Sequence, residues 1–333
     1  MNKVKIKQKI NIHQLLLGLA IILIITMLVL NPKKYINSCY NGLLVWVKNV
    51  LPSLFPFLIC TKILTEINFF DGFTKKLEKP TAKLFKAPKI ASYVFLISII
   101  SGYPVGAKVI SDLYKENVIS EKTANKLTTF CSTSGPLFIL GTVGTSLFCS
   151  PLIGYIMLFS HITSSVINGI IYRNKYVDSY SNDFQKNINK NYNKIISNCM
   201  SNSITSILVV GGFITIFYII IDILIDIKVI SFLASGLDFI LSPFNLKIGE
   251  SVFCGLIEVT RGCISLSNAS ISNLAKCVVG TGLISFGGFS IHFQALAFLS
   301  ECNIDTKFYF KQKISHFFLS MIIAFLIGFF ILK

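Results

Sequence analysis

Apolar blocks succeed one another along the chain, at 15–30, 43–70, 91–107, 127–147, 151–172, 204–227, 250–266, 274–298 and 314–332, with lysine-rich or polar stretches between them. Crossing the hydrocarbon takes about 20 predominantly apolar residues, so blocks of this kind read as helices in lipid. The first follows Lys3, Lys5, Lys7 and Lys9. It is too long for the h-region of a signal peptide and lacks a small-x-small cleavage site, which predicts a retained helix with its positive end in the cytoplasm. Block 43–70 is interrupted by Lys48, Pro52, Pro56, Lys62 and Glu66. Its kinked backbone requires protein or water alongside. Lysines spaced by threes and fours over 75–89 fit either an interfacial helix or a basic cytoplasmic loop, and 229–247 is amphipathic. The Asn- and Ser-rich stretch 173–203 reads as a polar cytoplasmic linker.

Two blocks are broken in the same manner. ISIISGYPVGAKVISDLY (97–114) carries Gly102, Pro104 and Gly106 before Lys108, and a shift of 153 residues lays it over SVFCGLIEVTRGCISL (251–266), with Gly102 on Gly255 and Lys108 on Arg261. Without a gap, the same shift lays FCSTSGPLFILG (130–141) over LISFGGFSIHFQ (283–294), so that Ser132 meets Ser285 and Gly135 meets Gly288. Paired interrupted helices in corresponding positions of two halves point to the binding site of a transporter. With the N-terminus inside, residues 31–42 lie outside and the first repeat runs inward. A re-entrant 127–147 then returns the linker to the cytoplasm and starts the second repeat outward. The predicted fold is an all-α polytopic membrane protein with an N-terminal transmembrane helix and two inverted repeats of broken, re-entrant helices. Its divisions are 1–42, a first repeat 43–172, the linker 173–203 and a second repeat 204–333.

Composition agrees with this class: 53% of the residues are hydrophobic, only 14% are charged, and the mean hydropathy is +0.69. The net charge of +16 lies between apolar runs rather than on one basic domain, as cytoplasmic loops facing anionic lipid require, and no nucleic-acid-binding module is visible. Nine cysteines are scattered singly without CxxC or Cys/His spacing, which predicts neither a disulfide framework nor a metal or other cofactor. Nucleophile-elbow, zinc-protease, phosphate-loop and dinucleotide motifs are missing too, so the chain reads as no enzyme.

Charges at membrane depth are functional candidates by default. Lys108 and Arg261 occupy equivalent repeat positions and would suit an anionic solute, above all a dicarboxylate, whereas the bland reading has Arg261 paired with Glu258 three residues before it and Lys108 reaching the interface or balancing Asp112. Gly102, Tyr103 and Gly106 shape the first break. Ser132, Thr133, Ser134 and Gly135 in one copy, and Ser285, Gly287, Gly288 and Ser290 in the other, form hydroxyl- and glycine-rich tips that serve either a site or close helix packing. His292 and Gln294 follow the second tip; a lone histidine is a proton relay or a packed residue. The partners this predicts are a small anionic solute, membrane lipid and a coupling ion, with no nucleic acid; homo-oligomerisation stays open.

SGYPVGAK (101–108) followed by CSTSGPLFILGTVG (131–144) resembles the YlbJ family of sporulation integral membrane proteins, also called stage V sporulation protein V, and GLIEVTRG (255–262) with SFGGFSIHFQ (285–294) looks like that family's second half. The resemblance covers nearly the whole chain, and the repeated piece is similar to the nucleoside-recognition Gate domain of nucleoside and ferrous-iron transporters. It implies a protein of the outer forespore membrane, made in the mother cell and needed for cortex formation, that moves dipicolinic acid toward the spore. A nucleoside-type carrier and a non-transporting scaffold for cortex assembly are the alternatives.

Overall fold

The structure is a computed structural model that describes residues 12–67, 69, 71–178 and 192–332. All regular structure among them is helical. In chain order the α-helices are α1 (Ile12–Leu30), α2 (Pro32–Val45), α3 (Leu51–Glu66), α4 (Asp71–Phe85), α5 (Ala91–Ser101), α6 (Val105–Lys115), α7 (Glu121–Leu127), α8 (Pro151–Ile171), α9 (Tyr192–Asp226), α10 (Val229–Leu241), α11 (Gly249–Ile257), α12 (Val259–Asn268), α13 (Asn273–Phe286), α14 (Gly288–Leu299) and α15 (Thr306–Ile331). Two wider, π-helical stretches, Trp46–Val50 and Phe138–Leu147, complete the frame. Four described segments are long and apolar enough to cross a membrane: Pro151–Ile171, Asn193–Asp226, Asn273–Cys302 and Thr306–Ile331. A fifth is reached if the pair Gln14–Leu30 and Pro32–Val50, bent by 110°, counts as one. The chain is an all-α polytopic membrane protein.

Expected breaks appear where glycine and proline interrupt apolar runs. Gly102, at φ 70° and ψ −165°, ends α5, and α6 restarts after Pro104. That backbone region is open essentially to glycine alone. In the second half Glu258 separates α11 from α12, and Gly287 (φ 96°) separates α13 from α14. Between α7 and Pro136 the chain runs without helix through Ser132–Gly135, leaving backbone donors free for other partners.

The glycines let the two breaks of each half touch. A Cβ added to Gly102 would lie 2.2 Å from the Gly135 nitrogen, and one added to Gly288 would lie 3.0 Å from the Gly255 oxygen. Because Gly102 aligns with Gly255 and Gly135 with Gly288, these are the same crossing made twice. The halves also interlock. α14 packs on α6, and the π-helical stretch 138–147 packs on α12, again equivalent pairs under the 153-residue shift.

Some elements differ from the sequence expectation. Residues 32–42, which the sequence leaves between two apolar blocks, belong to α2, which lies against α9 through buried Tyr35, whose hydroxyl donates to Asp226, and through the Lys34–Asp226 ion pair. The polar stretch 173–203 is helical from Tyr192 onward, because Ile195, Cys199 and Ser203 bury one stripe of α9; part of it, 179–191, lies outside the described residues, as do residues 1–11 with the first four lysines. Residues 71–85 form a helix that buries Thr74, Thr81 and Phe85 and exposes its lysines. The last helix begins at Thr306 rather than 314, capped by Asp305, whose side chain accepts from the Phe308 N–H and from the Tyr176 hydroxyl. Those two donors hold the Asp305 carboxyl below the usual carboxylate range.

Candidate functional site

Two helices of membrane-crossing length carry polar stripes inward. On α8 Ser160, His161, Ser164, Ser165 and Asn168 are buried while Leu152, Tyr155 and Phe159 are exposed. On α15 Gln312, Lys313, His316 and Ser320 are buried while Ile314, Phe318, Ile322 and Phe325 are exposed. Both stripes follow the helical repeat of three and four, so each helix is polar toward protein and apolar toward its surroundings. The helices pack together. Asn168 Nδ2 donates to Gln312 Oε1 at 3.1 Å, and the His161 and His316 rings lie 5.0 Å apart.

Lys313 reaches from this seam to the broken helices. It is 0% exposed; its ammonium donates to the Tyr103 hydroxyl at 2.6 Å and to the Ser132 carbonyl at 3.1 Å, and it sits 4.7 Å from the centre of the Tyr103 ring. No ion pair engages it among the described residues. Tyr103 bridges the halves, since its hydroxyl also donates to the Ser285 carbonyl at 3.4 Å. His161 bridges them a second time: its Nε2 accepts from the Ser134 N–H at 2.9 Å, and its Nδ1 is 2.7 Å from Ser285 Oγ.

Beside these contacts lies a cavity of about 60 Å³ between the halves. Its polar lining includes Tyr103 and Ser134 from the first half and Glu258, Thr260, Ser290 and Gln294 from the second. Pockets that hold small ligands span about 300–1,000 Å³, so the tips are closed and this space takes only a few waters. A second cavity, of about 390 Å³, shares Ser101 with the first and forms a charged vestibule containing Lys62, Glu66, Lys108, Asp112, Lys115 and Glu116.

The expected residues therefore divide. Tyr103, Ser134, Gly135, Glu258, Ser290 and Gln294 line the central cavity, and Ser132 meets Lys313 through its carbonyl. The two expected charge partners are elsewhere. Lys108 stands in the vestibule with its side chain 38% exposed, 3.8 Å from Asp112. Arg261 pairs with Asp222 of α9 and lies 4.9 Å from the Tyr218 ring centre, so its charge is already satisfied. Glu258 does not take the Arg261 side chain; it caps α12, accepting from the Arg261 backbone N–H at 2.7 Å. Thr133 turns away to the Ser98 carbonyl at 2.9 Å, and Gly102, Gly106, Gly287 and Gly288 serve the crossing or its turns. His292 is buried among Phe286, Phe310 and Tyr309, with Nδ1 3.1 Å from the Tyr309 hydroxyl, and it does not line the cavity. Among the described residues no group of three or more His, Cys, Asp or Glu side chains could hold a metal ion.

Lys313, His161 and His316 are not among the residues that the sequence singles out, because the last apolar block begins at 314, one residue beyond Lys313, and 151–172 reads as one more apolar helix. The polar stripe at helical spacing is the signal that marks them. Consequences follow for the two displaced cations. Lys108→Ala is expected to slow any uptake less than about 10-fold, with the effect shrinking at high salt, as for a solvent-screened charge. Arg261→Ala, which strands Asp222, is expected to cost about 1–3 kcal/mol of stability, read as a lower melting temperature in detergent.

No family model and no solved structure matches the chain. Over 325 residues, 91% of this chain and 80% of the relative, it is 24% identical to the sporulation integral membrane protein YlbJ of Bacillus subtilis (strain 168). With its apolar helices of membrane-crossing length, the chain is an integral membrane protein similar to that YlbJ relative.

Proposed function

We propose that this protein is a carrier, not an enzyme, that moves a small anionic solute of the dipicolinate class from the mother cell across the outer forespore membrane during sporulation. Lys313 carries the reading: a wholly buried lysine, held by a hydroxyl and a carbonyl and by no carboxylate among the described residues. A buried cation without a counter-charge costs several kcal/mol, and such groups in membrane segments mark substrate and ion pathways. An incoming carboxylate supplies the missing charge. The unwound tip at Ser132–Gly135, ahead of the helical stretch at Phe138, favours an anion further. Transport then proceeds by alternating access, with the two crossed tips parting on one side at a time and the vestibule around Lys108 concentrating the anion. The relative's sporulation role supports the setting.

A second reading has its own observation. Glu258, Thr260, Ser290 and Gln294 give the cavity an acid, an amide and hydroxyls, which suit a neutral nucleoside-like solute. Uptake of labelled dipicolinate into proteoliposomes, beside uridine, separates the two. Saturable dipicolinate uptake is the expected result; uridine uptake alone establishes the second reading. Entry of neither into vesicles holding folded, correctly inserted protein leaves a scaffold for cortex assembly as the better account.

A further inference from the structure

We propose that the coupling ion of this carrier is a proton and that His161 is the group that takes it; the inference rests on the carrier reading above. The hydrogen bonds define the state of the ring. A backbone N–H can only donate, so the Ser134 N–H, 2.9 Å from Nε2, requires that nitrogen to be an unprotonated acceptor. The ring proton of the neutral imidazole is therefore on Nδ1, from which it is donated to Ser285 Oγ at 2.7 Å. In this state one side chain of α8 ties the tip of the first half to the tip of the second. A second proton, on Nε2, would set two donors against each other across the same gap. The Ser134 bond cannot survive it, and the two tips lose this tie.

The surroundings couple that proton to an anion. The titratable groups whose charge reaches the ring are Lys313 and His316, both on α15. His316 meets the His161 carbonyl through Nε2 at 3.2 Å, and Ser164 Oγ donates to that carbonyl at 2.9 Å. The first tip contributes Ser134, and α13 contributes Ser285, neither charged. No carboxylate forms an ion pair with this group among the described residues. A second positive charge beside Lys313 is thus unfavourable while the site is empty. Lys313 holds the Ser132 carbonyl and His161 holds the Ser134 N–H, two residues apart on one unwound segment, so both side chains grip the same tip. A carboxylate arriving there accepts from the Lys313 ammonium, from the new Nε2–H and from the released Ser134 N–H. By linkage, each ligand then favours the other: the anion raises proton occupancy of the ring, and the proton raises anion affinity. One proton taken from water on the loading side leaves with the anion on the other, and the neutral ring closes the tips again.

The test measures proton uptake on binding. Titration calorimetry of dipicolinate into the purified protein near neutral pH, in buffers of different ionisation heat, is expected to show uptake of about one proton per bound anion in the wild type. None is expected in His161→Gln, whose amide can still accept from Ser134 and donate to Ser285. Equal proton uptake in both proteins, or none in the wild type, overturns the proposal. Nitrogen NMR of the imidazoles, tractable in a chain with four histidines, is the measurement that needs neither binding nor a folded variant. In the empty protein at neutral pH the His161 ring is expected as the Nδ1–H tautomer, with Nε2 accepting from the Ser134 N–H. A ring that carries its proton on Nε2 there, or one that stays neutral once dipicolinate is bound, overturns the assignment. Absence of dipicolinate binding alongside an Nδ1–H ring counts against the carrier's substrate and not against the latch.

Discussion

Replacing Lys313 by methionine is expected to abolish anion uptake while leaving the protein about as heat-stable as before. The two halves of this expectation have one cause. Lys313 is 0% exposed and is the cation at the meeting point of the tips; loss of one partner of a buried, hydrogen-bonded charge pair costs about 2–5 kcal/mol, roughly 30-fold to several-thousand-fold in affinity. Yet removing a buried charge and filling its space with an apolar side chain of similar length is often neutral or stabilising, by about 1–4 kcal/mol for buried ion pairs. Against that gain stand the Tyr103 hydroxyl and the Ser132 carbonyl, which lose a donor at about 1–3 kcal/mol when left unpaired. The net change in stability is small, so flux and melting temperature must come apart. Labelled dipicolinate uptake in proteoliposomes, read beside thermal unfolding in detergent, checks both. Undiminished uptake by Lys313→Met would move the anion site out to the vestibule lysines. A collapse of stability with no folded protein would make Lys313 a structural residue. Lys313→Arg is expected to fail as well, since the planar guanidinium is bulkier and its fork of donors does not match one hydroxyl and one carbonyl.

The second large effect concerns the fold. Gly102→Ala is expected to deplete the protein from the membrane, because the substitution fails twice at one position. The backbone conformation there costs any L-residue about 1–3 kcal/mol. The added Cβ would also sit 2.2 Å from the Gly135 nitrogen, a backbone atom that no side-chain rotation can move, and overpacking of this kind costs about 1–3 kcal/mol more. Together these reach a large part of the roughly 5–15 kcal/mol that holds a folded domain. Gly106→Ala, whose Cβ would lie 2.3 Å from the Cys131 carbonyl, shares the clash without the backbone strain and is expected to be milder. Gly212→Ala is the control: it is in α9, nothing lies within 4 Å, and alanine there is expected to be neutral or to stabilise by up to about 1 kcal/mol. Abundance in membranes and melting temperature rank the three. A Gly102→Ala protein as abundant as the control would show that the crossing opens without cost.

The interval between these two sites shows where sequence reasoning succeeds and where it stops. Gly102, Pro104 and Gly287 interrupt apolar runs by their own covalent constraints, so the breaks were legible residue by residue. The 153-residue register was legible for the same reason, and the crossing of Gly102 on Gly135 and of Gly288 on Gly255 follows it. Arg261 shows the limit. Its neighbours in sequence pointed to Glu258, three residues earlier on a helix, but Glu258 is spent on the α12 N-terminus and the guanidinium finds Asp222 on α9. A charge takes whichever partner the packing brings within reach, and spacing along one helix cannot announce a partner on another.

Local chemistry, then, determined from the sequence alone that this is a helical membrane protein, where its helices break, and which glycines and hydroxyls sit at the breaks. Only the tertiary structure decided which charges are satisfied. It placed Lys108 in a vestibule, gave Arg261 an acid, and brought Lys313 and His161, from helices far apart in the chain, to the tips at Ser132–Ser134 and Ser285. The physical reason is that helix propensity and backbone freedom are properties of near neighbours, whereas the cost of a buried cation depends on everything around it.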